Sequence, residues 1–298
     1  MIRKINLFIE SLIQEGLWKT FQSTHDWIKN VFSINGVLSA IKLYESQKFK
    51  KLAGSRILVG PFAGVILEKL NWGRRDFVAY SGGIYEQEVL SYFVNTKGLF
   101  KTFIDIGAAD GYYAVSTLKN NFFEYVHAFE KSSTSQEIIK FNAQINEVDH
   151  KLSIHGKFDI SFEKYLGKDF DWASTLILSD IEGAEFELFD ADLLSKISGA
   201  HIIIELHKRD RDDIEIQKFE ALLAKFNAIS FIKSHERNVY KFAEYNPMTE
   251  DLRYLMSSDG RIRGKKESRL LRGEWLLCCP NEFCNICNKI VRLPKDNY

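Results

Sequence analysis

The chain lacks an excess of charge of either sign: its 298 residues include 40 lysines and arginines and 40 aspartates and glutamates. This balance excludes a global electrostatic attraction to nucleic acids or acidic membranes. Only 4 prolines and 18 glycines are present, which argues against long disordered linkers. No apolar run reaches the roughly 20 residues of a membrane-spanning helix, and the N-terminus shows no signal-peptide pattern. These absences favour a soluble, globular protein.

Cysteine is absent from most of the chain, and all four cysteines fall near its end: Cys278, Cys279, Cys284 and Cys287. This placement excludes a disulfide-dense secreted scaffold and predicts a cytoplasmic location. The pair Cys284 and Cys287 has the spacing of a zinc knuckle, but no second such pair exists. We therefore expect buried or free thiols here and assign no metal ligands.

The most informative stretch is FIDIGAADG, residues 103–111. Its first four residues predict a short buried strand, Gly107 and Gly111 predict a tight turn, and YYAVSTLKN predicts a helix. A strand, a glycine turn and a helix form the nucleotide-binding corner of doubly wound α/β folds. Glycine at these positions would let the backbone approach a ligand closely.

Acidic residues around this corner indicate the charge of the ligand. Asp105 and Asp110 would repel a pyrophosphate but suit a cationic ligand such as S-adenosylmethionine, which carries a sulfonium and an ammonium group. The strand YVHAFE ends about twenty residues later in Glu130, where an acid can accept hydrogen bonds from ribose hydroxyls. The alternative for Asp110 is a helix-capping role.

From residue 103 onward, predicted strands and helices alternate: strands FIDIG, YVHAFE, KLSIHG, TLILSD, HIIIELH and AISFIKS, with helices between most of them. This alternation predicts a doubly wound, mostly parallel α/β sheet covered on both faces. Residues 56–298 would form this domain, with 57–98 as a cap that begins with two short strands, and 235–272 as an insertion. Residues 1–55 predict a mainly helical extension.

The apolar faces of the predicted N-terminal helices have two possible binding partners. Packing on the same domain or on a second subunit as a homodimer is the favoured interpretation, and peripheral contact with a membrane is the alternative.

Ligands bind such sheets at the carboxyl ends of the strands, so residues at strand ends are the catalytic candidates. Asp180 ends the strand TLILSD, and we place Glu182 and Glu185 in the first turn of the next helix, where acids favourably meet the helix dipole. In HIIIELH, Glu205 and His207 share one face by period-two alternation. We expect Glu205 to orient His207 as a base, with solvation of His207 in a loop as the alternative.

Residues 261–272, RIRGKKESRLLR, form a basic cluster in an otherwise neutral chain. Arg261 and Arg263 would contact a phosphate or carboxylate of the substrate, and a solvated loop is the alternative. One basic loop is too small an electrostatic footprint for nucleic acid binding.

The stretches FIDIGAADGYYA, AFE, LILSDIEGAEFELF and IIIELH, in this order, resemble the FkbM-type S-adenosylmethionine-dependent methyltransferases. The resemblance covers roughly residues 85–207 and implies a seven-stranded, Rossmann-like class I sheet whose last strand, GEWLLCC, inserts antiparallel. It also implies methyl transfer to a hydroxyl of a sugar, glycan or other natural product. The implied cofactor-binding residues are Asp105, Gly107, Ala109, Asp110, Gly111, Glu130 and Asp159, the last beside the adenine amino group.

The expected reaction is an O-methylation in which His207 or Asp180 removes the proton of the acceptor and Glu182 helps to bind it. A divalent ion that bridges Asp180 and the acceptor oxygens remains an alternative. Two other functions stay open: a non-catalytic cofactor-binding partner protein, and an NAD-dependent oxidoreductase on the same sheet topology. The missing third glycine and the surplus of acids count against the oxidoreductase.

Overall fold

The structure of the chain is a computed structural model, which describes residues 43–44, 46–208, 211–226, 228–232 and 274–279. Three predictions fall outside these residues: the N-terminal helices with their dimer or membrane contact, the 235–272 insertion, and Cys284 and Cys287. The boundary between residues 55 and 56 stays a prediction. Residues 46–52 are helical, and Phe49 packs on Phe77 with ring centroids 6.4 Å apart.

The cap segment differs from the prediction of two strands. Residues 56–66 are folded by turns and form only one isolated antiparallel bridge, Arg56 to Ile66. FVAYSGG forms a helix, α1 (Phe77–Ser81), all of whose residues are buried. The carbonyl of Ser81 accepts hydrogen bonds from the N–H groups of residues 58 and 59, both at 3.0 Å. Two N–H groups of the first stretch are therefore satisfied by a helix end, and among the described residues neither stretch has a partner strand.

The predicted helix before the glycine corner is confirmed as α2 (Gln87–Thr96). Strands and helices then alternate as predicted, except for α5, which the sequence did not indicate: β1 (Thr102–Ile106), α3 (Tyr112–Lys119), β2 (Tyr125–Phe129), α4 (Ser133–Ile145), β3 (Leu152–His155), α5 (Glu163–Leu166), β4 (Thr175–Ser179), α6 (Glu185–Leu188), α7 (Ala191–Lys196), β5 (His201–Leu206), α8 (Asp213–Phe226), β6 (Ala228–Ile232) and β7 (Glu274–Cys279).

One predicted helix, over residues 186–197, is divided into α6 and α7. Asp190 lies between them with an extended backbone, at φ −84° and ψ 176°. Its carboxylate accepts a hydrogen bond from the N–H of Leu193 at 2.8 Å. An aspartate in this conformation caps a new helix rather than continuing the preceding one.

The seven strands form one sheet in the order β3-β2-β1-β4-β5-β7-β6. The pairs among β1 to β5 are parallel, and β7 is antiparallel to both β5 and β6. This confirms the doubly wound, mostly parallel fold and the antiparallel insertion of the last strand. Strand order reverses between β1 and β4, so their carboxyl ends define the crevice where such sheets bind ligands.

Alternate residues of the strands enter two separate cores, one on each face of the sheet. Phe103, Leu178 and Ile203 face the core that also contains residues of α2, α3 and α4. Ile104 and Ile177 face the other core, which contains residues of α7 and α8. Strands buried on both faces read as nearly continuous apolar runs, which is why the sequence identified them.

Strand β7 carries the first two cysteines. Cys278 is a free thiol and fully buried, which confirms the prediction for that residue, and burial raises its pKa well above the usual value. Cys279 is buried as well. Within the described part of the chain, no helix is both long and apolar enough to cross a membrane.

Candidate active site

The glycine corner joins β1 to α3 through a left-handed backbone. Gly107, Ala109 and Gly111 have φ values of 88°, 49° and 80°. A Cβ atom on Gly107 would lie 1.8 Å from the carbonyl oxygen of Asp180, and one on Gly111 would lie 3.2 Å from a methyl of Val115. Glycine is therefore required here by the backbone conformation and by close packing of neighbouring segments, in addition to any approach of a ligand.

Asp110 anchors the segment that precedes α1. Its Oδ2 accepts hydrogen bonds from the N–H groups of Asn71 and Gly73, at 2.9 and 2.7 Å. The side chain is buried and its Oδ1 has no hydrogen-bond partner. Burial raises the pKa of Asp110, and the backbone hydrogen bonds from residues 71–73 oppose this rise. The structure thus gives Asp110 an anchoring role through hydrogen bonds, and its contact with a cationic cofactor stays a prediction.

Glu130 lies directly after β2 and closes the corner from the other side. Its Oε2 accepts the N–H of Ala109 at 3.0 Å, and its Oε1 accepts the N–H of Ser132 at 2.8 Å. The residue is 8% exposed. Each carboxylate oxygen retains a further lone pair, so these contacts orient Glu130 without using its full capacity to accept hydrogen bonds.

Three acids point to the same face of the sheet at the ends of adjacent strands. In the parallel register, Ile106 of β1 pairs with Ser179 of β4. Ser179 in turn pairs with residue 204 of β5, so Asp180 and Glu205 are the next residues of their strands. Asp105 lies on the same face of the sheet as these two acids, because its neighbours in β1, Ile104 and Ile106, belong to the core on the opposite face. The sheet geometry alone therefore brings Asp105, Asp180 and Glu205 together.

Burial and the charge of Asp180 raise the pKa values of the other two acids. Burial, followed by the charge of Asp180, raises the pKa of Asp105 to about 8. Burial also raises the pKa of Asp180 to about 6, against the opposing effect of His207. Burial and the charge of Asp180 hold the pKa of Glu205 well above its usual value. The charged residues that shift the pKa values of these three acids are other carboxylates and His207.

A fourth acid, Glu86, was not singled out by the sequence. It precedes α2 in a left-handed conformation, with φ 41° and ψ 54°, and its carboxylate accepts a hydrogen bond from the hydroxyl of Tyr113. Burial and the charge of Asp180 raise the pKa of Glu86 to about 8. The only signal in the sequence is its position at a helix start after two glycines, and that signal carries no chemistry by itself.

His207 follows β5 and is held by a carboxylate other than the predicted one. Its Nδ1 lies 2.9 Å from Oε1 of Glu185, whereas Oε2 of Glu205 is 3.9 Å from Nε2. The expectation that Glu205 orients His207 is therefore wrong. It failed because the loop before α6 brings Glu185, rather than Glu205, within hydrogen-bonding distance of the ring. The other sequence expectation, a largely solvated loop position, does not describe His207 either, since its side chain is 22% exposed.

The loop between β4 and α6 places Glu185 beneath His207. Oε1 of Glu185 also accepts the N–H groups of Ile181 and Gly183, both at 3.2 Å. Burial raises the pKa of Glu185, but the hydrogen bonds from His207 and the backbone outweigh it, so the pKa lies below its usual value. Glu182 precedes α6 with φ 57°, so its placement in the first helical turn is wrong.

Around His207, burial lowers the pKa, but the hydrogen bond to Glu185 and the charge of Asp180 outweigh burial and raise it. With Nδ1–H donated to an ionised Glu185, the second nitrogen, Nε2, faces the other acids. It lies 3.8 Å from Oδ1 of Asp180 and 3.6 Å from Oε2 of Glu182. This is an imidazole fixed on one side and available for a proton or an ion on the other.

The remaining predicted residues lie away from this centre or outside the described chain. Asp159 is exposed, and its Oδ1 accepts the N–H of Ser161 at 2.8 Å in a local turn. Arg261 and Arg263 lie outside the described residues, so their contact with a substrate stays a prediction.

Comparison with known proteins gives similarity at the level of solved structures. No protein-family model matches the chain, and no curated protein matches it. The chain is similar to a ribosomal protein L11 methylase from Lactobacillus delbrueckii subsp. bulgaricus, with 19% identity, a TM-score of 0.37, and coverage of 50% of this chain and 72% of the other.

Two further similar structures come from Streptomyces. The O-methyltransferase TomG from Streptomyces achromogenes, in complex with SAM, has 13% identity, a TM-score of 0.39, and coverage of 50% of this chain and 73% of the other. A geranyl diphosphate C-methyltransferase from Streptomyces coelicolor A3(2) has 11% identity, a TM-score of 0.41, and coverage of 78% and 91%. The resemblance to the FkbM type stays a prediction.

Proposed function

We propose that the chain is an S-adenosylmethionine-dependent methyltransferase. The observation that carries this proposal is the group of acids at the carboxyl ends of β1, β4 and β5. The charge of Asp180 raises the pKa values of Glu86, Asp105 and Glu205, and His207 lowers the pKa of Asp180. A pyrophosphate would add negative charge to this group, whereas a cationic ligand compensates it.

The residues present fit a cationic adenosyl ligand. Oδ2 of Asp105 is buried without a hydrogen-bond partner, as expected for an acid that meets its partner in a ligand. Glu130 is held so that further lone pairs remain for ribose hydroxyls. Asp159 would contact the adenine amino group, and Ala109 with the two glycines would form the turn beneath the ligand. When bound, S-adenosylmethionine supplies a methyl group on a positively charged sulfur.

The proposed acceptor is a hydroxyl group, for example on a sugar, glycan or related natural product, as the family resemblance implies. An alcohol must lose its proton as its oxygen takes the methyl group. His207 and Asp180 are the candidate proton acceptors: Glu185 fixes the His207 ring, and Oδ1 of Asp180 has no hydrogen-bond partner. Glu182, and Arg261 and Arg263, would contact the acceptor. A cytoplasmic location remains our expectation.

Ligand-induced thermal shifts test the cofactor. We expect S-adenosylmethionine and S-adenosylhomocysteine to raise the melting temperature, and NAD and NADP to leave it unchanged. Calorimetry should show tighter binding of S-adenosylmethionine than of the uncharged-sulfur product, with a smaller ratio in Asp105→Asn. A shift with NAD alone would favour the oxidoreductase, and no shift with any of the four ligands would refute the cofactor site.

Turnover is tested separately from binding. Glycans and small metabolites from cells with and without the gene are compared by mass spectrometry for loss of a single methyl increment. His207→Ala and Asp180→Asn should bind the cofactor normally and fail to restore the increment. Full restoration by both variants would refute their role. Cofactor binding without any lost increment would favour the non-catalytic partner protein.

A further inference from the structure

We infer that Asp180, Glu182 and His207 bind a divalent cation, with Glu185 as the residue that positions the His207 ring. Among the described residues, Asp180, Glu185 and His207 each bring one ligand-type atom within 4.8 Å of the others, and Oε2 of Glu182 lies 3.6 Å from Nε2 of His207. This group mixes an imidazole with carboxylates, and so differs from a purely acidic surface patch. Cation binding does not depend on the proposed methyl transfer, whereas the role of the ion described below does.

The hydrogen bond between Glu185 and His207 has the arrangement found behind metal-binding histidines. In such sites one ring nitrogen donates to a carboxylate, which fixes the ring and raises the basicity of the other nitrogen. Here Nδ1 lies 2.9 Å from Glu185, which is 0% exposed and is itself held by two backbone N–H groups. The ring therefore cannot turn without breaking a buried contact, and Nε2 is presented to the site.

The distances around Nε2 suit shared ligation better than direct hydrogen bonding. Oxygens of Asp180 and Glu182 lie 3.8 and 3.6 Å from it. Hydrogen bonds between nitrogen and oxygen end at about 3.2 Å. Two ligand atoms that each lie about 2.0–2.2 Å from one ion are separated by about 3–4.3 Å, depending on the angle between them. The separations observed here fall within this range.

Buried carboxylate oxygens without a hydrogen-bond partner give independent evidence for a cation site. Oδ1 of Asp180 and Oε2 of Glu185 are both inaccessible to solvent and have no hydrogen-bond partner. Buried carboxylate oxygens in proteins are paired with donors or with metal ions. An ion on Nε2 would pair Oδ1 of Asp180, which lies 3.8 Å from that nitrogen, whereas Glu185 would act only through its hydrogen bond and charge behind the ring.

The ligand types favour a particular class of ion. Mg²⁺ and Ca²⁺ prefer oxygen ligands alone, while an imidazole among carboxylates suits Mn²⁺, Fe²⁺ or Zn²⁺. In the proposed reaction, the ion would bind the acceptor hydroxyl and lower its pKa, so that its proton passes to water. An ion on Nε2 occupies the lone pair of His207, and His207 would then act as a ligand rather than as the base.

The test uses the full chain after removal of metals, titrated with MnCl₂ and followed by the loss of the free Mn²⁺ signal in electron paramagnetic resonance. We expect saturable binding of one ion per chain. His207→Gln and Asp180→Asn should abolish it, and Glu182→Gln should weaken it. Glu185→Gln keeps an acceptor for Nδ1–H and should weaken binding by about 10–100-fold, the effect typical of residues behind metal ligands. Glu163→Gln, an exposed acid elsewhere, is the matched control.

Binding of S-adenosylhomocysteine to the same samples separates the two proposals. If this ligand binds and Mn²⁺, Zn²⁺ and Mg²⁺ do not, the cation site is refuted and the cofactor site stands. If Mn²⁺ binds as described and the adenosyl ligand does not, the proposed function fails alone. Mn²⁺ binding that is unchanged in Asp180→Asn and His207→Gln, with both variants folded by circular dichroism, would also overturn the inference.

Discussion

The substitution Gly107→Ala tests whether the glycine corner and the end of β4 form one rigid unit. A Cβ at Gly107 would lie 1.8 Å from the carbonyl oxygen of Asp180, and real Cβ contacts are not shorter than 3.0 Å. One of the two backbones must therefore shift by at least 1.2 Å, the difference of these distances. The two segments are also tied by a hydrogen bond from the N–H of Asp180 to the carbonyl of Ile106, at 3.0 Å.

The expected loss of stability exceeds that of an ordinary glycine replacement. Left-handed backbone costs a non-glycine residue about 1–2 kcal/mol. The stiffer unfolded chain returns about 0.4–1 kcal/mol. Gly98→Ala and Gly54→Ala, with φ values of 83° and 59° and no atom within 4 Å of the new Cβ, should show only this net cost of about 1 kcal/mol. Gly107→Ala adds a main-chain overlap, and we expect it to lose more than about 4 kcal/mol.

Urea unfolding of the three variants, followed by far-ultraviolet circular dichroism, measures these differences. We expect Gly107→Ala, if it folds at all, also to lose affinity for S-adenosylhomocysteine, because the overlap displaces the glycine turn on which the ligand is proposed to lie. The two control variants should keep wild-type affinity. A Gly107→Ala protein as stable as Gly98→Ala would show that the β1 and β4 ends can separate at little cost, and the rigid corner would be refuted.

Three further substitutions test other parts of the structure. Asp110→Ala leaves two backbone N–H groups unpaired and should lose about 2–4 kcal/mol in urea unfolding, whereas Asp110→Asn keeps an acceptor and should lose much less; equal losses would refute the anchoring role. Glu86→Gln keeps an acceptor for Tyr113 but removes a repelling charge, so it should raise stability at pH 9 and weaken binding of S-adenosylmethionine, and unchanged affinity would remove Glu86 from the site. Burial, together with the neighbouring His155, lowers the pKa of His127 from 6.5 to about 4. The stability that neutral His127 contributes is therefore full above pH 6.5 and is lost as the pH falls towards 4, by at most about 3 kcal/mol. His127→Phe should flatten this acid limb of the curve of stability against pH, and an unchanged limb would contradict the lowered pKa.

Much of the sheet could be predicted from the sequence because each central strand is an apolar run between clear turns. The cap could not, because its residues are apolar without a distinguishing period. All five residues of Phe77–Ser81 are buried, so neither helical nor strand periodicity appears. Their structure depends on whether a partner strand is available, and the described chain provides none at that position. The division at Asp190 depended on one capping side chain within a helical pattern.

The sequence predicted those site residues whose positions follow from local strand geometry, and it missed those whose positions depend on tertiary contacts. Asp180, Glu205 and His207 follow from strand ends and alternation, which the register of the sheet preserves. Glu185 read as an ordinary acid at a helix start, because nothing local shows that the preceding loop brings its carboxylate under the His207 ring. Glu86 lies just before α2, which precedes β1 in the sequence, and only the packing of α2 and α3 brings it near Asp180.

Backbone conformation gives an independent reason to regard this edge of the sheet as functional. Of the six non-glycine residues with left-handed φ in the described part of the chain, Glu86, Ala109 and Glu182 belong to three separate segments that meet at this edge. Glycine would relieve a strain of about 1–2 kcal/mol at each position. Two of the three carry carboxylates towards the acidic group, and the N–H of Ala109 holds Glu130. Strain that persists together with mutual repulsion of acids is expected where a ligand compensates both. A positively charged ligand compensates the repulsion directly, which joins the proposed cofactor and the inferred cation to the same feature of the fold.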